Sequence, residues 1–257
     1  MKHFILCNLI FLVTAPAAFA GKAEDRGYEI AKICDDAAKG YKGETSHIKM
    51  EIVAASGDHL SHDIDMKKKE IKRDGDRILL TVQSPADVQG TKLLTWGHAD
   101  RDDEQWLYMP AIKRIKRISA KLKQGSFMGS EFAYEDLAGT DINKFKHKHI
   151  RDEKFDGRPV WVVQRSAKDS DSGYSKEVIW YDQEYKAAVK ALFYDRKNEL
   201  LKTASFQGYK KINKWWRPTR VKMSNAQTKN HSTMTWNDRT LKVDISESDF
   251  VSDNLKN

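Results

Sequence analysis

The sequence predicts a mainly β protein, a curved antiparallel sheet that forms an unclosed β-barrel with a small helical lid. Three observations lead there. Apolar and polar residues alternate with period two in segment after segment, turn-forming pairs recur between those segments, and only one stretch near the N-terminus carries a helical period. A sheet of about a dozen strands has to curl, because a wide flat sheet leaves long unprotected edges.

The helical stretch covers 24–39, where Tyr28, Ile30, Ile33, Cys34, Ala37 and Ala38 recur at three-to-four spacing before Gly40 and Gly43 stop it. From there the period changes. Ile48, Met50 and Ile52 alternate with His47, Lys49 and Glu51; Ile64 and Met66 alternate with Asp63, Asp65 and Lys67; Ile78, Leu80 and Val82 alternate with Leu79 and Thr81. The same signal predicts strands over 92–97, 105–109, 144–150, 159–165, 177–181, 189–195, 200–209, 216–224, 232–236 and 241–245. Ser56-Gly57-Asp58, Asp74-Gly75-Asp76, Asp156-Gly157 and Asn237-Asp238 are read as the turns between them. A short helical turn is expected around 134–138. One helix is little cover for so much sheet, so the apolar face encloses either a filled core or a cavity. Met50, Ile52, Met66, Leu80, Trp96 and Met109, each placed on the apolar side of a strand, are the expected cavity lining. Six methionines beyond residue 20 fall on or near this face; flexible thioethers suit either a variable ligand or ordinary core filling.

The N-terminus reads as a secretory signal peptide over 1–20. Lys2 precedes a charge-free run, and Ala18-Phe19-Ala20 supplies small residues at the cleavage site. The run is short for a membrane span, which needs about 20 apolar residues. Cys7 lies inside it rather than after the cleavage site, so no lipid anchor is expected. A single domain over 21–257 is expected in the periplasm, with Cys34 as its one cysteine and therefore no internal disulfide. The chain has 45 Lys and Arg against 37 Asp and Glu, a net +8, of which Lys2 alone lies within 1–20, leaving +7. Export argues against a nucleic-acid partner and turns the basic balance toward anionic lipid head groups or acidic proteins.

One segment departs from the alternation: QWLYMPAIKRIKRISAKLKQGSFMGSEFAYEDL, residues 105–137. Six cations, Lys113, Arg114, Lys116, Arg117, Lys121 and Lys123, fall within eleven residues. Ile112, Ile115 and Ile118 recur every third residue, a spacing that fits neither strand nor helix, so the conformation stays open. A Gly/Ser loop follows, with Phe127 and Met128 expected to pack back toward the cavity. Lys113, Arg114, Lys116 and Arg117 would form a basic rim in transient contact with a membrane surface or with an acidic partner. A charged strand guarding an edge is the alternative.

The motifs W-x-Y-M-P-A-x-K-R-x-K-R-I-S, G-S-F-M-G-S-x-F and Y-E-D-L resemble those of the outer membrane lipoprotein-sorting proteins, a LolA-like family often encoded beside RND/MMPL-type transporters. The resemblance implies a LolA/LolB-like fold with an apolar cavity for acyl chains. It further implies a lipid or lipoprotein cargo moved between inner and outer membranes, and a possible RND/MMPL-type transporter partner. The expected function is a periplasmic lipid or lipoprotein carrier; an accessory subunit of such a transporter is the second reading, and an envelope hydrolase or polysaccharide-binding module a remote third.

Catalytic signatures do not appear: H-E-x-x-H, G-x-S-x-G, C-x-x-C, Walker A and G-x-G-x-x-G have no match. No catalytic residue, metal or cofactor is expected, and the protein is read as a non-enzyme. His147 and His149 share a strand face, with His59 and His62 as possible additions to a metal site, but Lys146 and Lys148 interleave and suggest a solvated surface.

Overall fold

The computed structural model describes residues 17–139 and 141–256, with side chains from residue 21 onward. Most of the expected signal peptide, residues 1–16, lies outside the described residues. The described residues open with helix α1 (Ala17–Ala38), which starts before the expected residue 24. Strands β1 (Gly43–Val53), β2 (His59–Lys69), β3 (Arg77–Ser84), β4 (Lys92–Trp96), β5 (Glu104–Met109) and β6 (Arg114–Ile118) then meander in one direction.

The chain next crosses to the far side of the sheet and meanders back through β7 (Phe145–Phe155), β8 (Arg158–Ala167), β9 (Lys176–Asp182), β10 (Ala187–Tyr194) and β11 (Leu200–Gln207). A small ribbon of β12 (Lys210–Ile212) and β13 (Trp215–Arg217) stands apart from the sheet. Strands β14 (Arg220–Asn225) and β15 (His231–Leu241) complete the meander. β15 pairs antiparallel with β1, Met50 opposite Met234, and joins both halves into one 13-stranded sheet ordered β6-β5-β4-β3-β2-β1-β15-β14-β11-β10-β9-β8-β7. The edges β6 and β7 do not pair with each other, so the curved sheet stays unclosed.

One local reading is corrected and one left open is settled. Residues 232–236 and 241–245 are not two strands with a turn between them. β15 runs through Asn237 and Asp238, which sit at a bulge against Thr45 and His47, and Asp238 takes the left-handed φ of 49° that a bulge needs. The residue types of a bulge and of a turn are the same, which explains the misreading. The segment 110–118 is a 3-10 turn (Pro110–Ile112), a left-handed Lys113 and the edge strand β6.

The concave face carries the main core. Ile48, Met50, Ile64, Met66, Leu80 and Val82 belong to one buried cluster with Phe127 and Phe132. Strands β3 to β5 are buried on their convex face too. The C-terminal 3-10 turns (Glu247–Phe250 and Ser252–Lys256) seat Phe250 and Leu255, with Ile245, against Leu79, Leu94 and Tyr108. Trp96 packs there and donates its indole N–H to the Phe250 carbonyl at 2.7 Å.

Helix α1 lies against β7 and β8, with Ile30 and Cys34 buried on Trp161 and Val163. Burial pushes the Cys34 thiol up to about 12, so it is a core side chain rather than a nucleophile. The helix can approach because Gly27 has no side chain: a Cβ there would come within 2.7 Å of the backbone nitrogens of Lys148 and His149. Gly27→Ala is expected to lower stability by about 1–3 kcal/mol through forced separation, despite the better helix propensity of alanine. Urea unfolding checks this, and an unchanged or higher midpoint would contradict the close approach.

Candidate binding cavity

The segment between the two edges, 119–144, passes over the concave face and determines what space remains there. Its loop is locally self-made. Phe127 donates its backbone N–H to the Phe132 carbonyl at 2.8 Å, the Ser130 hydroxyl donates to the Phe127 carbonyl at 2.7 Å, and Met128 and Gly129 turn the chain at φ 53° and 74°. The loop is pinned to the sheet from above β14 and β15: Glu131 donates its N–H to the Ser232 hydroxyl at 2.9 Å and accepts from the Asn225 amide at 2.8 Å. This geometry drives the fully buried Phe127 ring into the core.

The following 3-10 turn (Tyr134–Leu137) fastens the segment to the opposite half of the sheet. Glu135 accepts from the Ser172 hydroxyl and the Gly173 N–H, both at 2.9 Å. Asp136 accepts from the Tyr174 hydroxyl at 2.8 Å, from Lys202 at 3.2 Å and from the Ala133 N–H at 2.7 Å. Burial raises the Glu135 carboxyl above its usual range, against those two hydrogen bonds, and holds the Tyr174 phenol well above its own. The Y-E-D-L motif is therefore a clamp.

Between the clamp and β8 to β15 lies a cavity of about 1160 Å³, larger than the roughly 300–1,000 Å³ of drug-sized sites. Ile179, Ala191, Phe193, Val221, Met223 and Met234 form its apolar floor. Ala188 and Ala191 contribute small side chains to the lining, and Phe132 of the crossing segment borders the cavity, whereas Phe127 is fully buried in the packed core. One wall is polar. Arg165 pairs with Glu177 at 2.8 Å, its guanidinium 4.2 Å from the Phe145 ring centroid. Burial works against the Arg165 charge, but Glu177 outweighs it and the guanidinium is held above its ordinary range. At the mouth, Lys144 pairs with Asp103 and Lys123 with Asp169, tying the crossing segment to its neighbours.

The expected lining residues divide between three places. Met50, Ile52, Met66, Leu80 and Phe127 are packed together in the filled part of the core, with Met128 against them, and none borders the cavity. Met109 is half-buried on β5, at the same parity as the cavity-lining Gln105. Trp96 lies on the convex face. Lys113, Arg114, Lys116 and Arg117 are exposed along the sheet edge. Arg117 is engaged with Glu104, stacks over Trp106 and borders the mouth. Met223 and Met234, noted in the sequence only for their apolar parity, are on the floor. Y-E-D-L was singled out as a motif but given no role, and Arg165 was not singled out, since nothing local to β8 or β9 shows that Arg165 and Glu177 face inward together.

Of the histidines weighed as ligands, His147 bonds through Nε2 to the Ile142 carbonyl at 2.8 Å and His149 to Asp152 at 2.7 Å. Among the described residues no group of three His, Cys, Asp or Glu could hold a metal ion, and no helix is long and apolar enough to cross a membrane.

Comparison with solved structures decides the family. A crystal structure of a domain from Vibrio parahaemolyticus assigned to outer membrane lipoprotein sorting matches with 38% identity and a TM-score of 0.89, over 91% of this chain and 100% of that one. The chain belongs to the outer membrane lipoprotein-sorting family. A DUF1329 family protein from Desulfovibrio piger matches this family member at 26% identity and TM-score 0.87, over 91% of this chain and 99% of that one. A LolA superfamily protein from Nitrosomonas europaea shares the fold at 21% identity and TM-score 0.72, over 89% of this chain and 98% of that one. A family model described as "Uncharacterized protein" matches residues 74–257. No curated protein matches the sequence.

The clamp generates a direct expectation. Lys202 and Asp136 are both nearly inaccessible, at 9% and 7% side-chain exposure, so Lys202→Met leaves a buried carboxylate uncompensated and should cost about 3–5 kcal/mol. Lys202→Met combined with Asp136→Asn should recover much of that loss. Chemical denaturation of the three variants checks it, and additive effects would contradict a coupled pair.

Proposed function

We propose that the protein is a periplasmic carrier, a binding protein rather than a catalyst, that shelters acyl chains of a lipid or lipidated protein between the inner and outer membranes. The observation that carries this reading is the division of the concave face. The crossing segment buries Phe127 in the packed core and leaves, beside Phe132, a largely apolar cavity whose mouth opens beside a basic sheet edge. An acyl chain of sixteen carbons leaving water gains roughly 12 kcal/mol at about 0.8 kcal/mol per methylene. A cavity of this size and lining supports that transfer, and the lipoprotein-sorting relative supports the compartment.

The rim supports loading at a membrane. Ile112 and Leu122 are 56% and 40% exposed, one in each of the 3-10 turns flanking β6, amid Lys113, Arg114, Lys116 and Lys121. Apolar side chains set among cations suit the interface of an anionic bilayer. Because Arg117 already pairs with Glu104, Arg114 and Lys116 are the cations most available to head groups.

Two outcomes are expected. Native mass spectrometry of protein taken gently from its own envelope should show a lipid adduct, and Ala191→Trp, which fills the floor, should lose both the adduct and binding of a pyrene-labelled acyl ester. A wild type that carries and binds no acyl compound would contradict the carrier reading. Arg114→Glu with Lys116→Glu should weaken flotation with anionic vesicles tenfold or more, at about 1 kcal/mol per cation near such a surface, with stability within about 0.5 kcal/mol. Wild-type flotation should fall as salt rises. Unchanged flotation would move docking to a protein partner such as an RND/MMPL-type transporter.

A further inference from the structure

At the end of the sheet where β1 begins and β15 ends, positive charge gathers without partners. Residues 200–237 contain eight Lys and Arg and no Asp or Glu, and the β12–β13 ribbon lies within that stretch. Its exposed Lys210, Lys211 and Lys214 are joined by exposed Lys42, just before β1, and Lys242, just after β15. Lys242 donates its backbone N–H to the Tyr41 carbonyl at 3.0 Å. Lys214 and Lys242 both set their ammonium groups over the buried Trp215 ring, 5.1 and 5.6 Å from its centroid. Lys72 and Arg73, exposed in the β2–β3 turn, come alongside because Glu70 accepts from the N–H groups of Gly40 and Lys42 at 2.7 and 3.1 Å. The ribbon itself is fixed: Trp215 donates its indole N–H to the Lys39 carbonyl at 2.8 Å, and Arg217 donates to the Ala38 carbonyl at 2.9 Å.

None of these seven cations forms an ion pair among the described residues. Glu44 is spent on Arg239 and Arg217, and Glu70 on backbone, which leaves Asp238 and Asp244 as exposed carboxylates on the flanking chain. Three of the seven hold left-handed backbone, Lys42 at φ 65°, Arg73 at 64° and Lys242 at 64°, a conformation that costs a side-chain-bearing residue about 1 kcal/mol and glycine nothing. A long cation gains nothing locally in such a place except its charge. Like charges held together repel, and a polyanion laid over them relieves the repulsion.

The surface is separate from the mouth. β1 and β15 are sixth and seventh in the row of thirteen strands, in the middle of the sheet, and none of the seven cations borders the cavity. It also differs in kind from the β6 edge, where Ile112 and Leu122 are exposed; no large hydrophobic of the ribbon is exposed to that degree, so nothing here inserts into a bilayer. Beside the cations lie the half-buried rings of Tyr185, Tyr209 and Trp216, Tyr185 being 4.6 Å from each of the others. Tyr and Trp are the residue types that anchor protein interfaces.

We infer that this end of the sheet docks an acidic segment of a partner protein, on a surface distinct from the mouth. The inference goes beyond the carrier reading and does not depend on it. Fluorescence anisotropy of a fluorescein-labelled Glu/Asp-rich peptide with the intact protein tests it. The peptide should bind, with affinity falling as salt rises. Lys210→Glu, Lys211→Glu and Lys214→Glu together should weaken binding about tenfold or more, with acyl-ester binding and flotation on anionic vesicles unchanged. Arg114→Glu with Lys116→Glu should change peptide affinity by less than about twofold. Carbodiimide coupling of the same peptide to the wild type, followed by peptide mapping, should mark Lys42, Lys211, Lys214 or Lys242, and it decides the matter even where the ribbon variant does not fold. No binding by the wild type, affinity indifferent to the ribbon reversal, or coupling confined to Lys113 and Lys116 would each overturn the inference. Flotation lost in the ribbon variant as fully as peptide binding would overturn it too and make this end a membrane surface.

Discussion

A sheet of thirteen strands that does not close leaves two edges and one apolar concave face to be covered, and both demands meet in the chain between β6 and β7. That chain starts on one edge, crosses the concave face and ends on the other. Its length and its anchors decide how much of the face is filled. Phe127 and Phe132 are buried by this segment, a gain of roughly 1.5–3 kcal/mol per ring, Phe127 in the packed core and Phe132 at the border of the cavity, and the clamp of Glu135 and Asp136 holds the rest of the segment above the cavity without filling it. The cavity is the gap between a fastened strap and a floor of small and flexible side chains.

The same constraint explains the charge pattern. The strap is fastened by polar groups in a poorly solvated place, so each cation there has a carboxylate and each carboxylate a donor; a partner removed would leave its mate uncompensated. At the solvated edge the logic reverses. β6 carries exposed cations, of which Arg117 pairs with Glu104; they discourage pairing with another sheet and present positive charge next to the mouth.

Much of the fold was legible in the sequence because it follows from alternation: most strands, the N-terminal helix, and the need of so wide a sheet to curl. Alternation failed where strands are buried on both faces. In β3 and β4 the pairs Leu79-Leu80 and Leu93-Leu94 are apolar on either side, since the C-terminal turns cover the convex surface, and Trp96 was placed on the wrong face for that reason. The position of the cavity depends on contacts distant in sequence, Glu131 with Ser232 and Asp136 with Lys202, and no local pattern announces them. The 105–137 segment was recognisable as distinctive; that its motifs are loop, plug and clamp required the fold.

The central claim is that acyl chains lie on the floor formed by β9 to β15 and not among the apolar residues of β1 to β4. Photocrosslinking with an acyl ester carrying a diazirine near its terminal methyl, followed by peptide mapping, tests it directly. The account predicts adducts on peptides containing Phe206, Met223 and Met234. Adducts confined to peptides with Met50, Met66 or Trp96 would contradict it.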